Sequence, residues 1–192
     1  MGTSENPMDD LMPAQQQVLG LLDGYRTSNR RDAEARILFR DFAIAHVDCC
    51  ERTLQAGHFT GSAWLVSQDS RRVLLTHHRK LGRWLQLGGH ADGDADLARV
   101  ALREAEEESG MDGLSVEREI FDLDRHRIPA RGSDPEHWHY DVRFVVRVGD
   151  SEAFVVSDES HALAWRGISE VALDQTADDS VRRMAKKWLE RV

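Results

Sequence analysis

The residues best equipped for chemistry are Glu104, Glu107 and Glu108, within the run Arg-Glu-Ala-Glu-Glu-Glu-Ser-Gly-Met at 103–111. On a helix they stand at i, i+3 and i+4, so their carboxylates project together. Such a cluster repels itself unless a hard cation sits among its oxygens, and Mg²⁺ is commonly held by a few carboxylates together with substrate phosphates. A Gly-Gly-His at 88–90 precedes the run. Without side chains, those glycines let phosphate approach the main chain closely. A glutamate-rich helix alone is usually a solvated face. The preceding Gly-Gly, Arg103 beside Glu104, and a Gly110 that would stop the helix after Ser109 set this one apart.

The arrangement resembles the Nudix hydrolase box: Gly, five residues, Glu, seven residues, then Arg-Glu-apolar-x-Glu-Glu-x-Gly-apolar. Gly89 opens it, Met111 closes it, and Arg103, Glu104, Ala105, Glu107, Glu108 and Gly110 match. Ala95 stands where the first Glu belongs. Asp94, one residue earlier, is the expected replacement, brought into place by a shorter loop and a longer helix to orient the box arginine. The resemblance implies an α/β fold, a Nudix-like α/β/α sandwich with a mixed sheet, preceded by an N-terminal helical segment. It further implies a metal-dependent pyrophosphohydrolase cleaving a nucleoside diphosphate linked to another moiety. Glu107, Glu108 and Glu104, with a carbonyl of Gly88 or Gly89, would then hold Mg²⁺ or Mn²⁺. Glu104 or Glu159 would be the general base, and Arg103 would tether the glutamates. The rival from a different class is a catalytically silent Nudix-like module that senses a nucleotide; the retained glutamates oppose it. An isopentenyl diphosphate isomerase of similar fold is disfavoured because no cysteine flanks the Gly-Gly-His.

Candidates for substrate binding are Arg79, His90, Arg127, His137 and His139, the last three around a segment read as a long polar loop. His137, His139 and Asp141 alternate on one strand face, a spacing that would also suit a transition metal. Without cysteine partners or a second ligand set, substrate-facing or solvent-facing roles are preferred for them. Trp138 and Tyr140 would face the other way and pack.

At 192 residues the chain fits one domain with an appended segment. Its 34 acidic and 25 basic residues give a net charge of −9, which argues against a nucleic-acid polymer as partner. A small nucleotide or other diphosphate stays open, because bound cations reverse the local field. Cys49 and Cys50 have no second pair and read as reduced, buried thiols. No apolar run approaches the roughly 18 residues of a membrane span, and a cytoplasmic location follows as the default expectation. Residues 1–10 read as a disordered lead and 11–56 as a helical extension. Val18, Leu21, Leu22 and Tyr25, then Ile37, Leu38, Phe42, Ala45 and Cys49, recur at helical spacing. These two helices would brace the core or form a homodimer contact. Residues 57–192 read as the catalytic domain. Strands are expected at 62–66, 73–76, 84–87 (ending in a turn at Gly88 and Gly89), 116–121, 140–148 and 162–165. The last helix would bury Val181, Met184, Ala185, Trp188, Leu189 and Val192, with a cap from Thr176, Asp178 or Asp179.

Overall fold

Two helices lead the chain, α1 (Pro13–Gly24) and α2 (Arg30–Ala45), in a computed structural model that describes residues 11–78, 82–132, 135–155 and 160–191. Proline at the first helical position of α1 loses no intrahelical bond, since that N–H would be unpaired anyway. Gln15 ties α1 to α2 by donating to the Ala43 carbonyl at 2.8 Å. Asn29 caps α2 by accepting the Asp32 N–H at 3.3 Å. The helix ends at Ala45, so Cys49 and Cys50 lie in a turn rather than continuing it, though both are buried as free thiols.

The seven strands are β1 (Gly57–Val66), β2 (Arg72–His78), β3 (Arg83–Leu85), β4 (Leu87–His90), β5 (Ser115–Ile128), β6 (His137–Arg147) and β7 (Ser160–Gly167). They form one mixed sheet in which β1 runs parallel to β6 along its whole length and the other pairs are antiparallel. The other edge of β1 is divided. β2 meets it only at Val66, and β4 occupies the stretch from Thr60 to Ala63. That division carries Gly88, Gly89 and His90 alongside the middle of the sheet.

Alternation along β1 builds the layers. Phe59, Ala63 and Leu65 point toward α1, α2 and α3 (Leu97–Ser109). Trp64 and Val66 point toward α4 (Ile168–Leu173) and α5 (Asp179–Arg191). The α/β/α sandwich implied by the resemblance is therefore present. On α2, Phe42 stacks on Tyr140 with ring centroids 3.9 Å apart, and Phe39 meets both Phe59 and Tyr140 edge-on. Each such side chain removed from water contributes about 1.5–3 kcal/mol, so the leading helices brace the sheet. Tyr140 packs as expected, and Trp138 lies under the Arg125 guanidinium at 3.8 Å.

Several expectations need correction. The strand expected at 84–87 breaks at Gln86, and Gly88 and Gly89 lie inside β4 rather than in a turn. The segment read as a long polar loop is mostly the paired ends of β5 and β6. Its polar residues alternate on a sheet extension with one face toward a cleft, so low hydrophobicity hid the strands. The short α4 was not anticipated, being too brief to show a period. In α5, Val181, Met184, Ala185 and Trp188 are buried but Leu189 is 44% exposed; Val192 lies outside the described residues. Asp178 provides the start signal by accepting the Ser180 N–H at 2.9 Å. No helix among the described residues is long and apolar enough to cross a membrane.

A buried ionic lattice joins the layers. Arg143 is 2% exposed and donates to Asp141 at 2.7 Å, with Asp124 and Asp122 at 3.4 and 3.6 Å. Arg183 on α5 bonds Asp122 and Asp124 at 2.7 and 2.8 Å, while Arg31 on α2 bonds Asp124 at 3.0 Å. Lys187 closes the set on Asp32 and on the Tyr25 hydroxyl. The named carboxylates and cations are equal in number, which is how Arg143 and the buried carboxylates are tolerated, while Arg31, Arg183 and Lys187 keep part of their side chains in water.

Candidate active site

The glutamates are positioned by α3 against β4. Asp96 caps the helix by accepting the Arg99 N–H at 3.2 Å, and Gly110 ends it with φ 64°. Ala98, Ala101 and Ala105 are buried on the inner face. The outer face brings Glu108 to the Gly88 N–H, which it accepts at 2.8 Å. Glu104 lies against Gly89 so closely that a Cβ there would overlap its carboxylate; one on Gly88 would run into Ser62. Glycine is a packing requirement at Gly88, where the clash includes Ser62 backbone, whereas a side chain at residue 89 would displace the Glu104 carboxylate. Arg103 donates to Glu104 at 2.9 Å and to the His90 carbonyl at 3.1 Å, with Glu107 3.9 Å away. It is a clip between helix and strand.

These groups line one side of a cleft of about 740 Å³. Thr60, Ser62, Gln86, His126, His139 and Asp141 line the other, with the Arg52–Asp92 ion pair at its margin. Of the expected site residues, the structure brings together Glu104, Glu107, Glu108, Arg103, Gly88, Gly89, His90 and His139. His137 is adjacent, its Nε2 3.3 Å from that of His139. Arg127 is not a lining residue: it pairs with Glu136, and its neighbour His126 takes the inward position instead. Strand alternation decides this. Arg79 and Glu159 lie outside the described residues. Asp141 accepts from Thr60 at 2.9 Å, Ser62 at 2.7 Å and Arg143 at 2.7 Å, so it is committed to the sheet and does not form a ligand set with His137 and His139. Thr60 and Ser62 were missed, although small hydroxyl residues between the apolar positions of β1 are a readable signal. Arg52 and Asp92 sit in turns that carry none.

Asp94 does not replace the absent box glutamate. The helix starts no earlier than Leu97, and the Asp94 carboxylate is engaged by Arg99 through bonds of 2.8 and 2.7 Å. Those bonds hold its carboxyl below the usual carboxylate range. Ala95 is 8% exposed and belongs to the same apolar cluster as Cys50, Leu97 and Ala98. A glutamate there would bury a charge. Asp94→Ala should leave turnover nearly unchanged, whereas Ala95→Glu should lower stability by on the order of 2 kcal/mol or more without raising activity. Urea unfolding and steady-state rates check both, and a large rate loss in Asp94→Ala would return that residue to the site.

Three histidines, His58, His90 and His139, have their pKa values lowered. Burial lowers the His58 pKa to about 4, reinforced by the charges of His90 and His137 and opposed by the Leu54 backbone. Burial likewise takes His139 to about 2, with His126, His58 and His90 adding to it. His90 is lowered by burial and then by Arg52.

A sequence profile for a family described as NUDIX domain matches residues 58–188. No curated protein matches the chain. Among solved structures, a NUDIX-family hydrolase from Clostridium perfringens superimposes with a TM-score of 0.50 at 21% identity, over 70% of this chain and 97% of its own. An Ap4A hydrolase from C. elegans gives 0.53 at 13% identity, over 69% and 96%. A UDP-X diphosphatase gives 0.51 at 15% identity and covers 96% of both chains, so its likeness reaches beyond residues 58–188 into the leading helices. At these identities the structural likeness establishes the fold.

Proposed function

The chain belongs to the Nudix family of hydrolases acting on diphosphate bonds, and on that premise we propose that it is a metal-dependent pyrophosphohydrolase of a nucleoside diphosphate linked to another moiety. The observation that carries this reading is the convergence of Glu104 and Glu108 on Gly88 and Gly89 at the edge of a large polar cleft.

Glu107, Glu108 and Glu104, with a carbonyl of Gly88 or Gly89, would hold Mg²⁺ or Mn²⁺. The fit is chemical: the donors are hard oxygens, and the packed glycines offer main chain without side-chain obstruction. When bound, the cation supplies neutralisation of charge on the bridging and leaving oxygens. Glu104, clipped in place by Arg103, is the first candidate to take the proton of the attacking water. Glu159, outside the described residues, is the second. His90, with Arg52 at the margin, would meet the phosphates, and His139 would meet the remainder of the substrate.

A panel of nucleotides assayed with Mg²⁺ and with Mn²⁺ tests the proposal, with Ap4A and a UDP-linked compound included. Products must be identified. Cleavage to a nucleoside monophosphate and a second phosphorylated product is the expected outcome, and EDTA should abolish it. Full turnover after verified metal removal, or tight nucleotide binding with no turnover, would reject it.

A further inference from the structure

His58, His90 and His139 come from three neighbouring strands, β1, β4 and β6. The register pairs His58 directly with His139, and Thr60 with His90. All three rings therefore stand on the face that carries Thr60 and Asp141, and their ligand nitrogens lie within 4.8 Å of one another. His58 is 2% exposed, yet among the described residues neither of its ring nitrogens makes a hydrogen bond of normal geometry. A buried polar group left in that condition is unfavourable unless something outside the chain completes it.

We propose that His58, His90 and His139 form a binding site for a divalent transition metal of the zinc class, distinct from the carboxylates of α3. Neutral imidazoles are borderline donors that suit Zn²⁺ rather than the hard cations taken by glutamate oxygens. With Zn–N of about 2.0–2.1 Å, a tetrahedral shell spaces its nitrogens by roughly 3.4 Å. The nitrogens now lie within 4.8 Å of one another, so binding requires them to draw in to that value. Three protein ligands leave a fourth position open, and because His90 and His139 line the cleft, it faces the space available to substrate. His137, beside His139, is the neighbouring imidazole that would support the set. The site depends on the register of strands, not on the hydrolase assignment.

The test uses the full chain, stripped of metal and titrated with Zn²⁺ and separately with Co²⁺. One equivalent should bind tightly, and Co²⁺ should develop the intense visible absorption of a four-coordinate complex. His139→Gln and His90→Gln should each weaken Zn²⁺ binding at least tenfold and remove that absorption. Glu107→Gln combined with Glu108→Gln should retain both. Circular dichroism establishes that the variants fold; if His139→Gln does not, the half-buried His90→Gln carries the comparison. Unchanged Zn²⁺ affinity in the folded histidine variants, or affinity lost only with the glutamates, would overturn the proposal. The second result would still leave the carboxylate site intact as a reading, so the two proposals fail separately.

Discussion

Replacing Glu108 with glutamine is expected to reduce turnover by on the order of 10²- to 10³-fold, the range that follows loss of a preorganised electrostatic group. The amide keeps the shape and an oxygen able to accept the Gly88 N–H now bound at 2.8 Å, so the fold should survive while the charge is gone. Glu107→Gln should behave similarly. Its side chain is 65% exposed and approaches Arg103 at 3.9 Å, so the fold should survive this change as well. Glu106 is the control: about 100° per residue around the helix turns it away from the cluster, and it is not among the lining residues. Glu106→Gln should change the rate by less than about twofold if position, not bulk acidity, is what matters. Rates across a Mg²⁺ titration, with circular dichroism on each variant, decide this. Equal losses at Glu106 and Glu107 would sink the positioned-site reading.

Arg143→Met should cost about 3–5 kcal/mol in urea unfolding, because removing one member of a buried ion set leaves uncompensated charge. Three carboxylates, Asp122, Asp124 and Asp141, lose a shared cation that is 2% exposed. Adding Asp122→Asn should recover part of the loss; no recovery would mean that side-chain packing, not charge, set the effect. The pH dependence has a definite sign. Burial would raise the Asp124 pKa, but the His126 hydrogen bond and the charges of Arg143 and Arg183 outweigh it and hold the pKa below the ordinary 3.8. A depressed folded value means stabilisation present above 3.8 and lost as the pH falls below that toward the folded value. Without Arg143 that component shrinks, so the gap between wild type and variant should narrow with acidification through this range. A gap constant down to pH 2.5 would refute the electrostatic account.

The box helix was legible because its signals are local: an apolar stripe at Ala98, Ala101 and Ala105, adjacent carboxylates and a terminating glycine. Family resemblance then supplied the layers around it. The rest depended on pairings between distant segments. Asp122 and Asp124 lie on a strand yet are charged, so β5 beyond residue 121 and the first residues of β6 looked polar and loop-like, while 140–148 was readable as a strand. Ala95 departs from the box pattern because this chain packs that position into the apolar cluster beneath the leading helices. His58 could not be joined to His90 and His139 without the register of three strands, which no spacing along the chain records.

The bond between Asp32 and Lys187 spans 155 residues, which has a consequence for assembly during synthesis. At roughly 5–20 residues per second, α2 leaves the ribosome on the order of ten seconds before α5 exists. Through that interval Asp32 has neither Lys187 beside it nor the Arg183-bound carboxylates beyond. The aromatic contacts of Phe39 and Phe42 with β1 form over shorter separations and do not wait. During synthesis, closure of the ionic lattice by α5 therefore waits for α5 to emerge, and a nascent chain halted before residue 183 would hold Asp32 with Tyr25 and Arg31 but without Lys187.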